Sequence, residues 1–173
     1  MNAEQAKFLT EYFTNMLEHE GKTTAKVLAA VPDSGRNYKP DPKSRSAWEL
    51  TTHLALGDVW FLDSIIAGKF DFDPTGEEKA AAQFKNVKEV VDFYNREHPA
   101  RIKQLRALPS EKLTKVVDFF GMMQVPNASY LGFANNHSIH HRGQLAAYLR
   151  AMGSKVPSIY GGSADEPMTG AAS

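Results

Sequence analysis

The sequence predicts an all-α protein, a four-helix bundle with long crossover links, and three observations carry that prediction. Four stretches place apolar residues at steps of three and four, the period of a helix with one face turned to a core. Three of the four open on a capping-box pair. The links between them, 32–45, 69–85 and 109–126, are long enough to run the length of a bundle. With 173 residues and no internal repeat, the chain reads as one domain, 1–173, ending in an extended tail, 154–173.

Asn2 with Gln5 opens the first helix, whose stripe runs through Phe8, Tyr12, Met16, Thr23, Val27 and Val31 until Pro32 stops it. Ser46 with Glu49 opens the second, which carries Leu50, His53, Leu54, Gly57, Phe61 and Ile65 and ends near Gly68. Asn86 with Glu89 opens the third, which follows Val87, Val90, Tyr94, Ile102, Leu105 and Leu108 to a stop before Pro109. Pro99 should kink or split that helix near His98, because proline offers no N–H and crowds the carbonyl four residues back. Between Leu113 and Val125 the period changes. Leu113–Phe119 is β-prone and Gly121 supplies a turn, so a short β-hairpin or irregular crossover is expected before the last helix. Pro126 and Asn127 open the fourth helix, and Gly153 closes it. The stretch 69–80 and the tail from Lys155 read as polar loops, the tail as a surface strap anchored by Ile159 and Tyr160.

Composition removes several function classes. Lys plus Arg equals Asp plus Glu at 20 each, which is no electrostatic footprint for nucleic acid or an acidic membrane. No apolar run has the length of a membrane span, and the polar start lacks the core of a secretory signal, so a soluble cytoplasmic protein is expected. There is no cysteine. That excludes disulfides, thiolate ligands and a cysteine nucleophile, and leaves nitrogen and oxygen to hold any metal.

Three of the six histidines lie between Asn135 and Leu145. His137 and His141 stand four residues apart, so they diverge by only about 40° around a helix axis, one turn apart along it. The stripe Tyr130, Ala134, His137, His141, Leu145, Tyr148, Met152 turns both rings inward. A neutral imidazole brings one donor and one acceptor that burial must satisfy. Two at this spacing are either metal ligands or a buried hydrogen-bonded pair. His140 falls beside the stripe and His19 lies in a charged, solvated run. His98 follows Tyr94 by four but precedes the proline. His53 has the best context for a third ligand, among Leu50, Leu54 and Gly57. Gly57 leaves an open space beside its ring that suits a water or substrate.

Thr52-His53-Leu54-Ala55, together with His137-x-x-x-His141-Arg142-Gly143-Gln144, resembles the DinB/YfiT-like family of metalloenzymes. The tail from Val156 to Glu166 is similar to the ending of one branch of it. The likeness runs from the first helix to the tail. It implies a bundle in up-down-down-up order, with a metal between the second and fourth helices held by His53, His137 and His141. It also implies a homodimer, and a wider superfamily that includes bacillithiol transferases and a mycothiol-dependent isomerase.

Three neutral imidazoles leave a divalent metal with an open position, the pattern of a catalytic site. Zinc is the first expectation and nickel the second. The leading reading is a transferase in which the metal activates a low-molecular-weight thiol for attack on an electrophilic small-molecule substrate. Gln144 is a candidate for orienting a ring nitrogen or the metal's ligand, and Arg142 for pairing with a carboxylate of substrate or thiol. The alternatives are a metal-dependent hydrolase and a non-catalytic, metal-stabilised stress-response or binding protein. Against the hydrolase, no carboxylate stands on the histidine stripes, and Asp58 and Asp63 read as peripheral.

Overall fold

The computed structural model describes residues 1–168; the end of the predicted tail, 169–173, lies outside the described residues. In chain order the elements are α1 (Ala3–Ala29), α2 (Ala47–Ala67), α3 (Gly76–Ala81), α4 (Val87–Arg106), α5 (Ser110–Thr114), β1 (Val116–Phe119), β2 (Met123–Pro126) and α6 (Tyr130–Ala151). The bundle is α1, α2, α4 and α6. Asn2 and Ser46 form full capping boxes with Gln5 and Glu49. At α4 the Asn86 side chain accepts from the Glu89 N–H, but the Glu89 carboxylate takes the N–H of Lys85 instead.

Side-chain contacts give the helix directions. Asp58 meets Tyr94 and Asp63 meets Arg101, so α2 and α4 run parallel. Gly21 lies against His98 and Glu18 against Arg106, so α1 and α4 are antiparallel. Phe13 packs on Gly132 and Thr24 on Ser138, so α1 and α6 are parallel. His53 meets His141 and Phe61 meets Phe133, so α2 and α6 are antiparallel. The order is therefore up-down-down-up. It requires a long crossover between the parallel α2 and α4, and the α2–α4 and α4–α6 links carry the short helices α3 and α5, too brief for periodicity to reveal.

The buried apolar residues form two main clusters, one at each end of the bundle. Between them lies a polar layer. On α1 it occupies the gap between Leu17 and Val27 with Glu20 and Thr24, and on α2 the gap between Ala55 and Phe61 with Asp58. On α4 it holds His98 between Tyr94 and Ile102, and on α6 Ser138 and Arg142 between Ala134 and Leu145. A layer of hydrogen-bonding groups at mid-height is where four helices can bring polar side chains together out of water.

Two expectations are corrected here. The inward face of α1 is Ala6, Thr10, Thr14, Leu17, Thr24, Val27 and Leu28, so the expected stripe holds at Val27 and Val31 but not at Phe8 and Tyr12. Those two rings are exposed and stacked on each other 6.5 Å apart, an i,i+4 pair on the outer face. Thr10 reaches the core side because its hydroxyl bonds back to the Ala6 carbonyl at 2.8 Å. Pro99 does not split α4, which continues to Arg106. Pro99 and Asn95 are both exposed, so water reaches the carbonyl that the missing N–H would have bonded. His98 consequently stays helical and buried.

The expected hairpin is present, antiparallel, with Val117 opposite Val125 and Phe119 opposite Met123. Among the described residues no helix is long and apolar enough to cross a membrane.

Candidate metal centre

Because α2 and α6 are antiparallel, steps of four on one helix pass steps of four on the other. His53 faces His141, Gly57 faces His137, and Phe61 faces Phe133. One ring nitrogen from each of His53, His137 and His141 lies within 4.8 Å of the other two. The three rings are half-buried. The structure thus brings together the three histidines singled out in the sequence, and leaves His140 exposed beside them with its ring 4.8 Å from that of His141.

Each ring is held from its far side by an oxygen. His53 Nδ1 lies 2.9 Å from Glu77 Oε2, His141 Nδ1 lies 2.9 Å from Gln144 Oε1, and His137 Nδ1 lies 3.3 Å from Asp58 Oδ1. A carboxylate or amide oxygen only accepts, so each Nδ1 must carry the proton. That turns Nε2 of His53 and of His141 toward each other, and a ring nitrogen of His137 completes the group. The Nε2 atoms of His53 and His141 are 3.2 Å apart. Two facing lone pairs at that distance repel unless a proton or cation sits between them. Burial, with the neighbouring imidazoles adding to it, pushes the His141 pKa down to about 4 against the opposing pull of Gln144. The ring is neutral at pH 7 and its lone pair is available. This donor set fits a divalent ion with imidazole ligands and acceptors behind them.

Three residues of the site differ from the sequence-based expectation. Asp58 is not peripheral but 4% exposed. Its Oδ2 accepts from Tyr94 Oη at 3.0 Å and from Ser138 Oγ at 2.8 Å, while Oδ1 faces His137. Burial and the adjacent carboxylate raise the Tyr94 phenol well above its ordinary pKa, so it remains a donor. A signal for Asp58 was present: from Leu50 to Ile66 the only acids are Asp58 and Asp63, and an acid within an apolar helix needs a partner. Asp63, by contrast, is half exposed and pairs with Arg101 at 2.9 Å. Glu77 was not found at all, because α3 that carries it read as loop. Its carboxyl is held down to about 2, first by the hydrogen bond from His53 and then by Arg45. Gly57 leaves no open space for a ligand; the His137 ring fills it.

Arg142 does not face the imidazoles. It is 1% exposed, with Nη1 2.5 Å from Glu20 Oε2 on α1 and Nη2 donating to Tyr160 Oη of the tail at 2.6 Å. Tyr160 in turn donates to Glu20 at 3.0 Å, so the strap is anchored as expected at that residue. Nη1 also reaches Thr24 Oγ1 at 3.4 Å, which lies 3.3 Å from Ser138 Oγ. A polar chain therefore runs from the tail across the bundle to Asp58 and His137.

Two outcomes follow from these contacts. A Cβ at position 57 would lie 2.8 Å from Cε1 of His137, closer than packed carbon atoms tolerate. Gly57→Ala should displace the ring and weaken cation affinity about tenfold or more, by competition with a chromogenic chelator, although alanine is the better helix former by about 1 kcal/mol. Asp58→Asn keeps one oxygen for Tyr94 and Ser138 but turns an N–H₂ toward His137 Nδ1. The ring must then move its proton to Nε2, and affinity should fall roughly 10–100-fold with the fold intact by circular dichroism.

Comparison with known proteins agrees with this architecture. A DinB-like protein from Bacillus cereus superposes with a TM-score of 0.69 at 25% identity, covering 87% of this chain and 97% of that one. YfiT from Bacillus subtilis, described as a probable metal-dependent hydrolase with an unusual four-helix bundle topology, superposes at 0.66 with 14% identity, covering 84% and 89%. The mycothiol-dependent maleylpyruvate isomerase superposes at 0.56 with 14% identity over 84% of this chain and 61% of that one. The family model described as DinB family matches residues 2–169, nearly the whole length over which these helices and histidines are laid out, and the chain belongs to that family.

Proposed function

We propose that this protein is a metal-dependent enzyme in which His53, His137 and His141 hold a divalent cation, zinc before nickel, and that it joins a low-molecular-weight thiol to an electrophilic small molecule. The observation that carries the reading is the convergence of three imidazole nitrogens, each ring fixed from behind by Glu77, Asp58 or Gln144. A divalent cation bound there supplies Lewis acidity that lowers the pKa of a coordinated thiol or water toward neutrality.

The chain's own residues do the rest. Asp58 and Glu77 keep His137 and His53 in the Nδ1–H tautomer, and Gln144 does the same for His141. The half-buried setting and the rings of Phe61 and Phe133 limit water at the reacting centre. In the transfer the thiol sulfur bonds to the electrophilic carbon, the bond to the leaving group breaks with its electron pair, and the thiol proton passes to solvent. Both nearby carboxylates are occupied on the outer nitrogens, which leaves, among the described residues, no general base on the inner side to draw a proton from water. A thiol, with its pKa near ~8.5, has less need of one. The chain contains no cysteine, so that thiol comes from outside. A cleft of about 770 Å³, which shares Glu77 with the site, offers Lys39, Lys43, Arg45 and Glu49 to a polar co-substrate. The likeness to a mycothiol-dependent enzyme, which is one of fold, is in keeping with a thiol partner.

The test is conjugation of monobromobimane by zinc- or nickel-loaded protein with a panel of thiols including cysteine, glutathione and cysteinyl-glucosamine compounds. Acceleration that EDTA abolishes supports the reading. No acceleration with any thiol overturns it, and ester hydrolysis that needs the metal but no thiol would assign a hydrolase instead.

A further inference from the structure

The facing of α2 and α6 that brings the imidazoles together does not end at His137. One turn further, α2 presents Phe61 and α6 presents Phe133, with ring centroids 5.4 Å apart. The Phe61 ring is 4.9 Å from the His137 ring, so the same residue walls the candidate metal centre and begins an aromatic surface. Phe119 of the hairpin stacks on Phe61 at 6.3 Å and 17° and touches Phe133 at 5.3 Å. Phe120 follows at 4.9 Å from Phe119, and Phe72 lies 6.2 Å beyond it. Exposure rises along the series, from 5% at Phe61 through 41% at Phe133 and 43% at Phe120 to 70% at Phe72. The surface is a ramp, open at the hairpin and closed at the histidines.

The tip of the hairpin adds a second observation. Phe120 has φ 55° and Gly121 φ 73°, and the Met122 N–H bonds the Phe119 carbonyl at 3.0 Å. Both central turn residues are left-handed, a geometry that suits Asn, Asp or Gly and that a bulky side chain adopts only at a cost. Phenylalanine there is a strained choice for the turn. What it provides is a ring displayed over the ramp, and a strained residue beside a functional groove points to function.

We propose that this ramp binds the apolar, aromatic-sized group of the electrophilic substrate and delivers its reacting carbon to the three imidazoles. The assignment rests on the thiol-transfer reading and names the substrate class for it: an apolar electrophile such as an arylmethyl halide, set against a polar thiol. Its continuity with the site favours a small molecule over a second protein chain. A protein interface gains nothing from aromatic rings that lead up to the imidazoles.

Binding and turnover are measured separately. Unreactive 2-naphthylmethanol is titrated into zinc-loaded protein by ligand fluorescence anisotropy, and kcat/KM is compared for 2-naphthylmethyl chloride and chloroacetamide with the same thiol. The expected results are saturable naphthyl binding, a preference for the naphthyl chloride, and a loss of about tenfold in both for Phe133→Ala, larger than any loss with chloroacetamide. Phe120→Asn should bind the naphthyl ligand several-fold more weakly while melting at or above the wild-type temperature, since asparagine relieves the turn. Naphthyl binding that these variants weaken, in a protein without thiol turnover, would leave the ramp standing and remove the thiol reading. Turnover without naphthyl binding or preference would overturn the ramp. So would a dimer by light scattering that Phe120→Asn dissociates, with no naphthyl binding in the wild type.

Discussion

Alanine at position 53 should abolish the cation-dependent rise in melting temperature and the thiol-transfer activity together. A ligand that binds only the folded state stabilises it by about 4 kcal/mol at a thousandfold excess over its Kd. For a chain of this size each kcal/mol is worth roughly 2–4 °C, so zinc should raise the wild-type melting temperature by about 8–16 °C. Removing His53 leaves two imidazoles on one helix and takes away the imidazole that α2 contributes. Affinity should fall by well over the ~100-fold typical of losing an outer partner, and the increment should shrink below the resolution of the scan. The metal-free variant should lose little. Without a cation the Nε2 atoms of His53 and His141 face each other at 3.2 Å, and deleting one relieves that opposition. His140→Ala is the control, because its exposed ring shares the neighbourhood but not the centre. Scanning calorimetry with and without zinc, with metal content by mass spectrometry, decides it: a full increment in His53→Ala would show that the cation is held elsewhere.

What the sequence revealed of this site was what is local in a helix. His137 and His141 were legible because four residues is one turn, whatever the tertiary structure. His53 was legible because an imidazole among Leu50, Leu54 and Gly57 has to face inward. The outer partners depend on contacts across the bundle. Asp58 sits one residue past Gly57, about 100° around the helix, and the approach of Tyr94 from the parallel α4 and Ser138 from α6 encloses it. Glu77 depends on a six-residue helix in a long link, which carries no periodic signal. The same limit explains α1. Phe8 and Tyr12 have helical spacing, but spacing alone does not say which face packs, and the face of small and threonine side chains packs more closely. The four main helices and the hairpin were readable from caps and periods. The helix order was implied by resemblance and is now given by contacts between helices.

Arg142→Ala should be among the most destabilising single changes in the protein and yet leave the imidazoles able to bind a cation. The guanidinium is 1% exposed and its partner Glu20 is only 9% exposed at the side chain. Removing one member of such a pair leaves a buried charge uncompensated, which costs about 3–5 kcal/mol, or roughly 6–20 °C in melting temperature here. The change also frees Tyr160, which donates to Glu20 and accepts from Arg142, so proteolysis near Gly161 and Gly162 should speed up. The paired variant Glu20→Leu, Arg142→Met should recover much of the loss, because two apolar groups of similar size need no charge partner. Cation affinity should change no more than a few-fold, since Arg142 reaches His137 only through Thr24, Ser138 and Asp58. A collapse of kcat/KM with the melting temperature unchanged would instead put the guanidinium on the substrate. The geometry argues against that outcome: its ion pair and hydrogen bonds lie toward α1 and the tail, while the ring nitrogens that could hold a cation lie between α2 and α6.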